Sequence, residues 1–413
     1  MESVKNVDNI FLHGIFLVML FWDVIENLIP NFQFVLLLVI LFMYIVHNKK
    51  VIVDKNFLLV ISFVFVHGII NCFLKNDNFK LLIIQIGTIG LSYITYSNIE
   101  SQVSVKKIFD TYMLYSYIMS FIGFLEIIIS FFNIASLTNL PMVFMFTSYK
   151  DRVLGLLPRI SSLCSEPSFL GYFLAPAVYL ILDNLFNQKK KIYISKSILN
   201  LIVIIVYIFT FSSVAYIGLG VMLIFIWLQK GINLKKVLIP IVAITFFYVI
   251  YFNVPFFKIR VDDSLFVFLK KIDSNSVNLS SYTLYNHFNI TKKAFISNYG
   301  MGSGLGSYQI MFDKFTLGKW NGSSLNRTDA NSMMLRIITE LGVIGIIGVV
   351  WFIKKNYSKK LEYNLLSNSI LVLFLMLLFR MGNYTHAGSI MYICLYIKIK
   401  KEEKEGKITY GRT

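Results

Sequence analysis

Charged residues are scarce in this chain: Asp, Glu, Lys and Arg make up 15% of its 413 residues, whereas 56% are hydrophobic. A soluble domain of this size carries about 25% charged residues, so the composition excludes an ordinary soluble globular protein. Lipid must be the solvent for much of the surface. We therefore expect an all-α polytopic integral membrane protein.

Cysteine is also scarce. Cys72, Cys164 and Cys394 lie far apart and show neither metal-ligand nor redox spacing, so the sequence excludes a disulfide framework and a zinc-type site. NYGMGSGLGSY, residues 299–309, lacks both the spacing and the βαβ context of a dinucleotide fingerprint. We expect neither a metal nor a cofactor.

Apolar runs long enough to span a bilayer occur at about twelve places. Thr210, Ser212 and Ser213 lie where two runs meet, at a tight turn or a kink within one long span. The predicted spans are 9–27, 32–47, 56–74, 80–97, 109–134, 167–187, 195–211, 213–229, 236–254, 332–353, 364–381 and 384–398.

Lysines cluster in alternate connecting loops, which explains the formal net charge of +17 as membrane topology and not as nucleic-acid binding. The positive-inside rule then places both termini in the cytoplasm. The lysine-bearing loops include 49–55, 106–107, 189–196, 230–236 and 354–360, followed by the C-terminal tail.

The topology predicts two longer extracytoplasmic loops, both partly helical. The resulting division is 1–134 for helices 1–5, 135–166 for the first outer loop, 167–254 for helices 6–9, 255–331 for the large outer loop, 332–398 for helices 10–12 and 399–413 for a cytoplasmic charged tail. The cytoplasmic loops are too short to form a domain, which argues against chemistry on cytosolic nucleotides.

Arginine is confined to one side of this topology. Only seven of the 39 basic residues are arginines, and Arg412 alone falls in the cytoplasmic tail. Arginine binds carboxylate or phosphate through a planar fork that lysine lacks, so this placement predicts an anion site at the outer face, with lipid-headgroup contacts as the simpler explanation. The outer arginines are Arg152, Arg159, Arg260, Arg327, Arg336 and Arg380.

Acidic residues show the same outward bias. Asp23, Glu26, Glu126 and Glu340 fall in the outer halves of predicted spans, where ionised groups face a cavity or a partner. Arg336 and Glu340 are four residues apart and could simply neutralise each other.

Two further stretches stand at the outer ends of spans. In RISSLCSEPSF, residues 159–169, Ser165, Glu166 and Pro167 suit a helix start, which leaves Arg159 unexplained. The glycines at 300, 302, 304 and 306 indicate a sharp re-entrant turn or a close approach of backbone to a ligand.

The order of these features resembles the O-antigen polymerase and ligase superfamily, the Wzy-like bacterial membrane glycosyltransferases. Arg159 with Glu166-Pro167-Ser168 is similar to its arginine-then-EPS element. Gly302, Gly304 and Gly306 are similar to its GxGxG turn, and Asn331 followed by Glu340-Leu341-Gly342 is similar to its asparagine-then-ELG element. Ala330 stands where the ligases carry a histidine, which favours polymerase over ligase.

The resemblance implies a GT-C-like fold in the bacterial cytoplasmic membrane and polymerisation of undecaprenyl-diphosphate-linked repeat units of O-antigen, lipopolysaccharide, capsule or exopolysaccharide. It also implies flippase and chain-length regulator proteins as partners. Glu166 and Arg159 are the implied catalytic residues. The implied substrate contacts are Arg152, Arg159, Arg260, Arg327 and Arg336 for diphosphate, and Gly302, Gly304, Gly306, Asn331 and Glu340 for sugar or backbone.

Three alternatives stay open from the sequence. A ligase would pass glycan to another acceptor, and a flippase or transporter would move the lipid-linked sugar without chemistry. The transporter alternative is weakened because no internal repeat is visible and the charges are biased outward. A structural scaffold would tolerate loss of the arginines.

Overall fold

The computed structural model describes residues 2–75, 79–132, 152–153, 157–187, 197–229, 234–253, 255–270, 277–318 and 325–406. Its helices are α1 Glu2–Leu20, α2 Trp22–Leu28, α3 Phe32–Asn48, α4 Lys55–Lys75, α5 Phe79–Gln102, α6 Val105–Phe131, α7 Pro167–Asn187, α8 Ser197–Phe209, α9 Ser213–Leu228, α10 Leu234–Asn253, α11 Pro255–Lys270, α12 Leu279–Ser297, α13 Tyr308–Phe315, α14 Met333–Asn356, α15 Leu361–Arg380 and α16 Ser389–Glu405. A 3₁₀ turn, His386–Gly388, precedes α16, and β1 Arg152–Val153 pairs antiparallel with β2 Leu157–Pro158.

Every predicted span overlaps a helix of the described residues, so the all-α prediction is confirmed. Within the described ranges, six helices are long and apolar enough to cross a membrane: α4, α5, α6, α7, α14 and α15. Apolar parts of α1, α3, α8 and α9 are shorter, at 10–17 residues. The chain is thus compatible with a polytopic membrane protein, while the count of twelve spans and the GT-C-like fold stay predictions.

The apolar surface agrees with a lipid environment. Helix α7 is mostly buried and packs against α8, α9 and α15, whereas α4 lies at the periphery. Leu59 of α4 is 62% exposed and Phe73 is 83% exposed. Apolar area left in water costs about 25 cal/mol per Å², so such a surface needs lipid around it.

Residues 277–318 and 325–330 of the predicted large outer loop have a small apolar core of their own. Helices α12 and α13 pack on each other and on the N-terminal part of α14. Their shared core includes Tyr282, Ile290, Tyr308, Phe312 and Ala330. The partly helical character predicted for this loop is therefore confirmed, and its core holds the loop against the end of α14.

Candidate functional site

The segment that carries Arg159 is bound to two helices of the bundle. The Ile160 backbone N–H donates to the Phe209 carbonyl of α8 at 3.0 Å, and the Ser162 hydroxyl donates to the Met119 carbonyl of α6 at 2.8 Å. The Ser162 N–H donates to the Glu126 carboxylate at 2.9 Å. Glu126, an acid predicted to face a partner within a span, therefore fixes this segment by accepting its backbone N–H.

Arg159 itself is buried, with 6% of its surface exposed. It interacts electrostatically with Tyr216 of α9, and the Tyr216 ring lies edge-on to Phe257 of α11 with 5.8 Å between centroids. Arg260 lies one turn further along α11, so the fold brings that helix toward Arg159. The side chains of Arg152 and Arg260 lie outside the described residues.

Glu166 ends this segment and precedes α7. Its carbonyl accepts from the Phe169 N–H at 3.0 Å, and its exposed carboxylate accepts from the Ser168 hydroxyl at 2.9 Å. The predicted helix start at Pro167 is confirmed. The Glu166 carboxylate is also close enough to the Arg380 guanidinium, at the C-terminal end of α15, for an electrostatic interaction.

The glycine segment docks onto a break in α14. At Gly342 the helix has φ 61° and ψ −143°, which no helix residue adopts. The N–H groups of Ser303 and Gly304 donate to the Thr339 and Glu340 carbonyls at 3.0 and 2.8 Å. In return the Val343 N–H donates to the Gly300 carbonyl at 2.9 Å. The loop thus satisfies backbone groups that the break frees, as buried helix interruptions require.

Glycine is required on both sides of this junction. A Cβ at Gly302, where φ is 83°, would lie 2.5 Å from the Glu340 carbonyl oxygen, and a Cβ at Gly342 would meet the Gly300 carbonyl. Only glycine tolerates both the positive φ and the close backbone approach. Gly304 and Gly306 pack on α4 and α5. The predicted close approach is therefore to the helices of the bundle.

Arg336 is the centre of a buried polar network directly beside this junction. Its Nε donates to Glu340 at 3.2 Å, its Nη1 to the Gly382 carbonyl at 3.0 Å and its Nη2 to Gln85 of α5 at 3.2 Å. The guanidinium also lies 4.9 Å from the ring centroid of Tyr384. Three of its five N–H groups are engaged in this way, and the mutual neutralisation of Arg336 and Glu340 is observed.

Glu340 is completely buried and connects three elements. It accepts from Arg336, from the Tyr384 hydroxyl at 2.9 Å and from the Tyr308 N–H at 3.4 Å. Nearby, Asn331 adopts a positive φ of 53°, and its N–H donates to Asp329 at 2.8 Å. Asn331 and Glu340, both predicted from the sequence, therefore shape the loop–helix junction.

Arg327 lies in a different environment. Its Nε and Nη2 donate to the two Asp313 carboxylate oxygens at 2.6 and 2.5 Å, and both side chains are about half exposed. The hydrogen bonds from Arg327 lower the pKa of Asp313 below its ordinary value. A phosphate would have to displace Asp313 from this fork, so diphosphate binding by Arg327 stays a prediction.

Four site residues were missed by sequence reasoning. Gln85, Tyr308 and Tyr384 contact the Arg336–Glu340 pair, and His287 bonds the Tyr308 hydroxyl. Arg380, one of the predicted outer arginines, interacts with His287. One signal was available for Tyr384, which lies in a short polar stretch between two apolar runs. Gln85 and His287 carry no such signal, because their positions follow from helix packing.

An apolar cavity of about 540 Å³ lies between α4, α14, α15 and α16. Phe63, Ile337, Leu341, Gly345 and Leu378 are among its lining residues. Tyr384 lines it as well, with its hydroxyl bound to Glu340. One tyrosine therefore borders both the apolar cavity and the charged network.

Among the side chains that the structure describes, no group of three or more His, Cys, Asp or Glu is placed to hold a metal ion. No family model matches the chain, and neither a curated protein nor a solved structure matches it.

Proposed function

We propose that this chain is a membrane glycosyltransferase that polymerises undecaprenyl-diphosphate-linked oligosaccharide repeat units on the outer face of the bacterial cytoplasmic membrane. The growing glycan is transferred from its lipid diphosphate to the terminal sugar of another lipid-linked repeat. Both termini are then cytoplasmic, and the large loop at 255–331 faces outward.

The observation that best supports this proposal is that the buried charged network borders the apolar cavity. A ligand that fills both must have a long apolar part and a polar head, which is the character of a polyprenyl-linked sugar. Tyr384 stands at the junction of the two regions. Pockets that place a few fixed polar groups at the edge of an apolar volume are typical ligand sites.

The arginines also suit a reaction between two lipid-linked substrates. Arg159 interacts with Tyr216 of α9, whose ring contacts α11. Arg336 instead bonds groups of α5, α14 and the segment after α15. Two lipid diphosphates, one of the donor and one of the acceptor, need two separate sets of cationic groups. We assign Arg159 with Arg260 to one, and Arg336 to the other.

The transfer breaks the bond between the anomeric carbon and the diphosphate oxygen of the donor. The acceptor hydroxyl forms the new bond, its proton passes to a carboxylate, and the diphosphate leaves with the electron pair. Glu166 is our candidate base, because its carboxylate is exposed and lies at the end of the Arg159 segment. Fixed arginines stabilise the charge that grows on the leaving group.

The test uses purified full-length protein in nanodiscs and the lipid-linked oligosaccharide that accumulates in cells lacking this protein. We expect Arg159→Lys to lower the rate of glycan lengthening by about 10²–10³-fold, because lysine keeps the charge and loses the fork. Arg412→Lys is the control, because Arg412 is the arginine that the sequence places in the cytoplasmic tail, and it should retain the wild-type rate. Wild-type activity in Arg159→Lys would overturn the role of the bidentate group.

The product of this assay, together with a transport assay on the protein in vesicles, distinguishes the alternatives. Lengthened glycan that stays on its lipid supports a polymerase, whereas glycan found on a different acceptor indicates a ligase. A wild-type protein that transports lipid-linked glycan across vesicles and never lengthens it would indicate a flippase and end the proposal.

A further inference from the structure

His287 is a fully buried residue of α12, and within the described part of the chain only one of its two ring nitrogens is hydrogen-bonded. Its Nδ1 is bonded to the Tyr308 hydroxyl. Its Nε2 is buried and has no hydrogen-bond partner among the residues that the structure describes. Buried polar atoms are nearly always paired, so an unpaired one within a candidate site points to a missing ligand.

The protonation of His287 is fixed by its surroundings. Burial, reinforced by the Arg380 charge, lowers the pKa of His287 to about 3, so the imidazole is neutral at physiological pH. If Nδ1 accepts the Tyr308 proton, Nε2 carries a hydrogen and donates. If Nδ1 donates, Nε2 accepts. Either tautomer offers one neutral hydrogen bond.

Arg380 supplies a second unsatisfied group in the same neighbourhood. Its Nη1 is buried and has no hydrogen-bond partner within the described part of the chain. Its charge interacts with His287, with Tyr172 of α7 and with the Asp329 and Glu166 carboxylates. Two unsatisfied nitrogens, from α12 and α15, therefore belong to one polar region.

The charges around Arg380 disfavour a further anion. Arg380 faces two carboxylates, Glu166 and Asp329. A phosphate beside Arg380 would meet a surplus of negative charge. Sugar hydroxyls fit better, because each can donate to a carboxylate and accept from a guanidinium or an imidazole.

We propose that His287 and Arg380 form a subsite for hydroxyl groups of the glycan, with Asp329 as an additional acceptor. This subsite is separate from the diphosphate contacts, and it rests on the proposed function. Tyr308 joins the two: its hydroxyl binds His287, its N–H donates to Glu340, and its ring lies 6.0 Å from the Arg336 guanidinium. A lipid in the apolar cavity would thus present its head to Arg336 and its sugar to His287.

The experiment compares two probes bound to full-length protein in nanodiscs: undecaprenyl diphosphate, and the undecaprenyl-diphosphate-linked oligosaccharide from cells lacking this protein. We expect wild type to bind the glycan-bearing probe more tightly. His287→Phe should lose about tenfold of that preference, since one buried hydrogen bond is removed, and should keep wild-type affinity for undecaprenyl diphosphate.

His13→Phe is the matched control, because His13 also bonds a tyrosine hydroxyl, that of Tyr115 at 3.1 Å, in the packing of α1 on α6. It should leave the preference unchanged. Arg380→Met retains the apolar stem and should lower the preference as well, which keeps the test usable if His287→Phe does not fold.

Every other outcome overturns either the hydroxyl subsite or the proposed function. Equal wild-type binding of the two probes, an unchanged preference in both variants, or an equal loss for both probes would overturn the hydroxyl subsite alone. Failure of wild type to bind either probe would overturn the proposed function itself.

Discussion

Two arginine–carboxylate pairs of this chain have similar chemistry and different surroundings. Arg327 and Asp313 meet through a two-bonded fork on the surface, with both side chains about half exposed. Arg336 and Glu340 meet through a single 3.2 Å bond, with 5% and 0% of their side chains exposed. The pair with the better direct geometry lies in water, and the pair with the weaker geometry lies in the interior.

Burial and shared partners decide how much an arginine–carboxylate pair contributes to stability. The surface pair is screened by solvent and contributes little to stability. In the interior, each charge depends on the other and on Gln85, Tyr384 and the Gly382 carbonyl. Removing one buried partner leaves an uncompensated charge, which is strongly destabilising.

Breaking the buried pair should lower the free energy of unfolding more than any other change proposed for this protein. Glu340→Gln keeps the side-chain volume and removes the negative charge beside Arg336. We expect a loss of about 3–5 kcal/mol in the free energy of unfolding. Asp313→Asn, the same change at the surface, should cost about 0–1 kcal/mol. Unfolding of both variants is followed by intrinsic fluorescence in detergent.

A double variant serves as the control for this experiment. Arg336→Met combined with Glu340→Met removes both charges, and we expect it to recover much of the stability lost in Glu340→Gln, because apolar replacements of buried pairs are often neutral. Equal stability losses in Glu340→Gln and Asp313→Asn would show that burial does not distinguish the pairs.

The contrast also separates what the sequence could predict from what it could not. The spacing of Arg336 and Glu340 predicts their pairing, because residues four apart share a helix face. The glycines at 302 and 342 predict unusual backbone. Their contact with each other is a tertiary feature, as is the placement of Gln85, 251 residues from Arg336. Such contacts depend on how whole helices pack, which local patterns do not encode.

An intermediate effect is expected at the glycine junction that supports the buried pair. Gly342→Ala forces a side chain into positive φ and against the Gly300 carbonyl. We expect a cost on the order of 1–3 kcal/mol from backbone strain alone, and slower glycan lengthening because Glu340 moves with the break. Thermal unfolding and the lengthening assay measure the two effects.

Gly90→Ala is the control, because Gly90 lies inside helix α5, outside the apolar cavity, and a Cβ there meets nothing within 4 Å. It should leave activity unchanged and stability equal or slightly raised, since alanine is the better helix former. A Gly342→Ala protein as stable and active as Gly90→Ala would show that the junction does not position the buried pair.

The surface pair should show a small stability effect that depends on pH. Arg327 lowers the folded-state pKa of Asp313, so the pair stabilises the fold above the unfolded pKa of about 3.9. That stabilisation is lost as the pH falls through the lower folded pKa. We expect wild type to melt slightly above Asp313→Asn at pH 7, by the equivalent of at most about 1 kcal/mol, and the two to converge as the pH falls below the folded pKa of Asp313. Salt at 1 M should shrink the pH 7 difference, because the pair is exposed. If the melting-temperature difference between wild type and Asp313→Asn instead grows toward low pH, Asp313 acts through its neutral form. The surface pair is then not a simple ion pair.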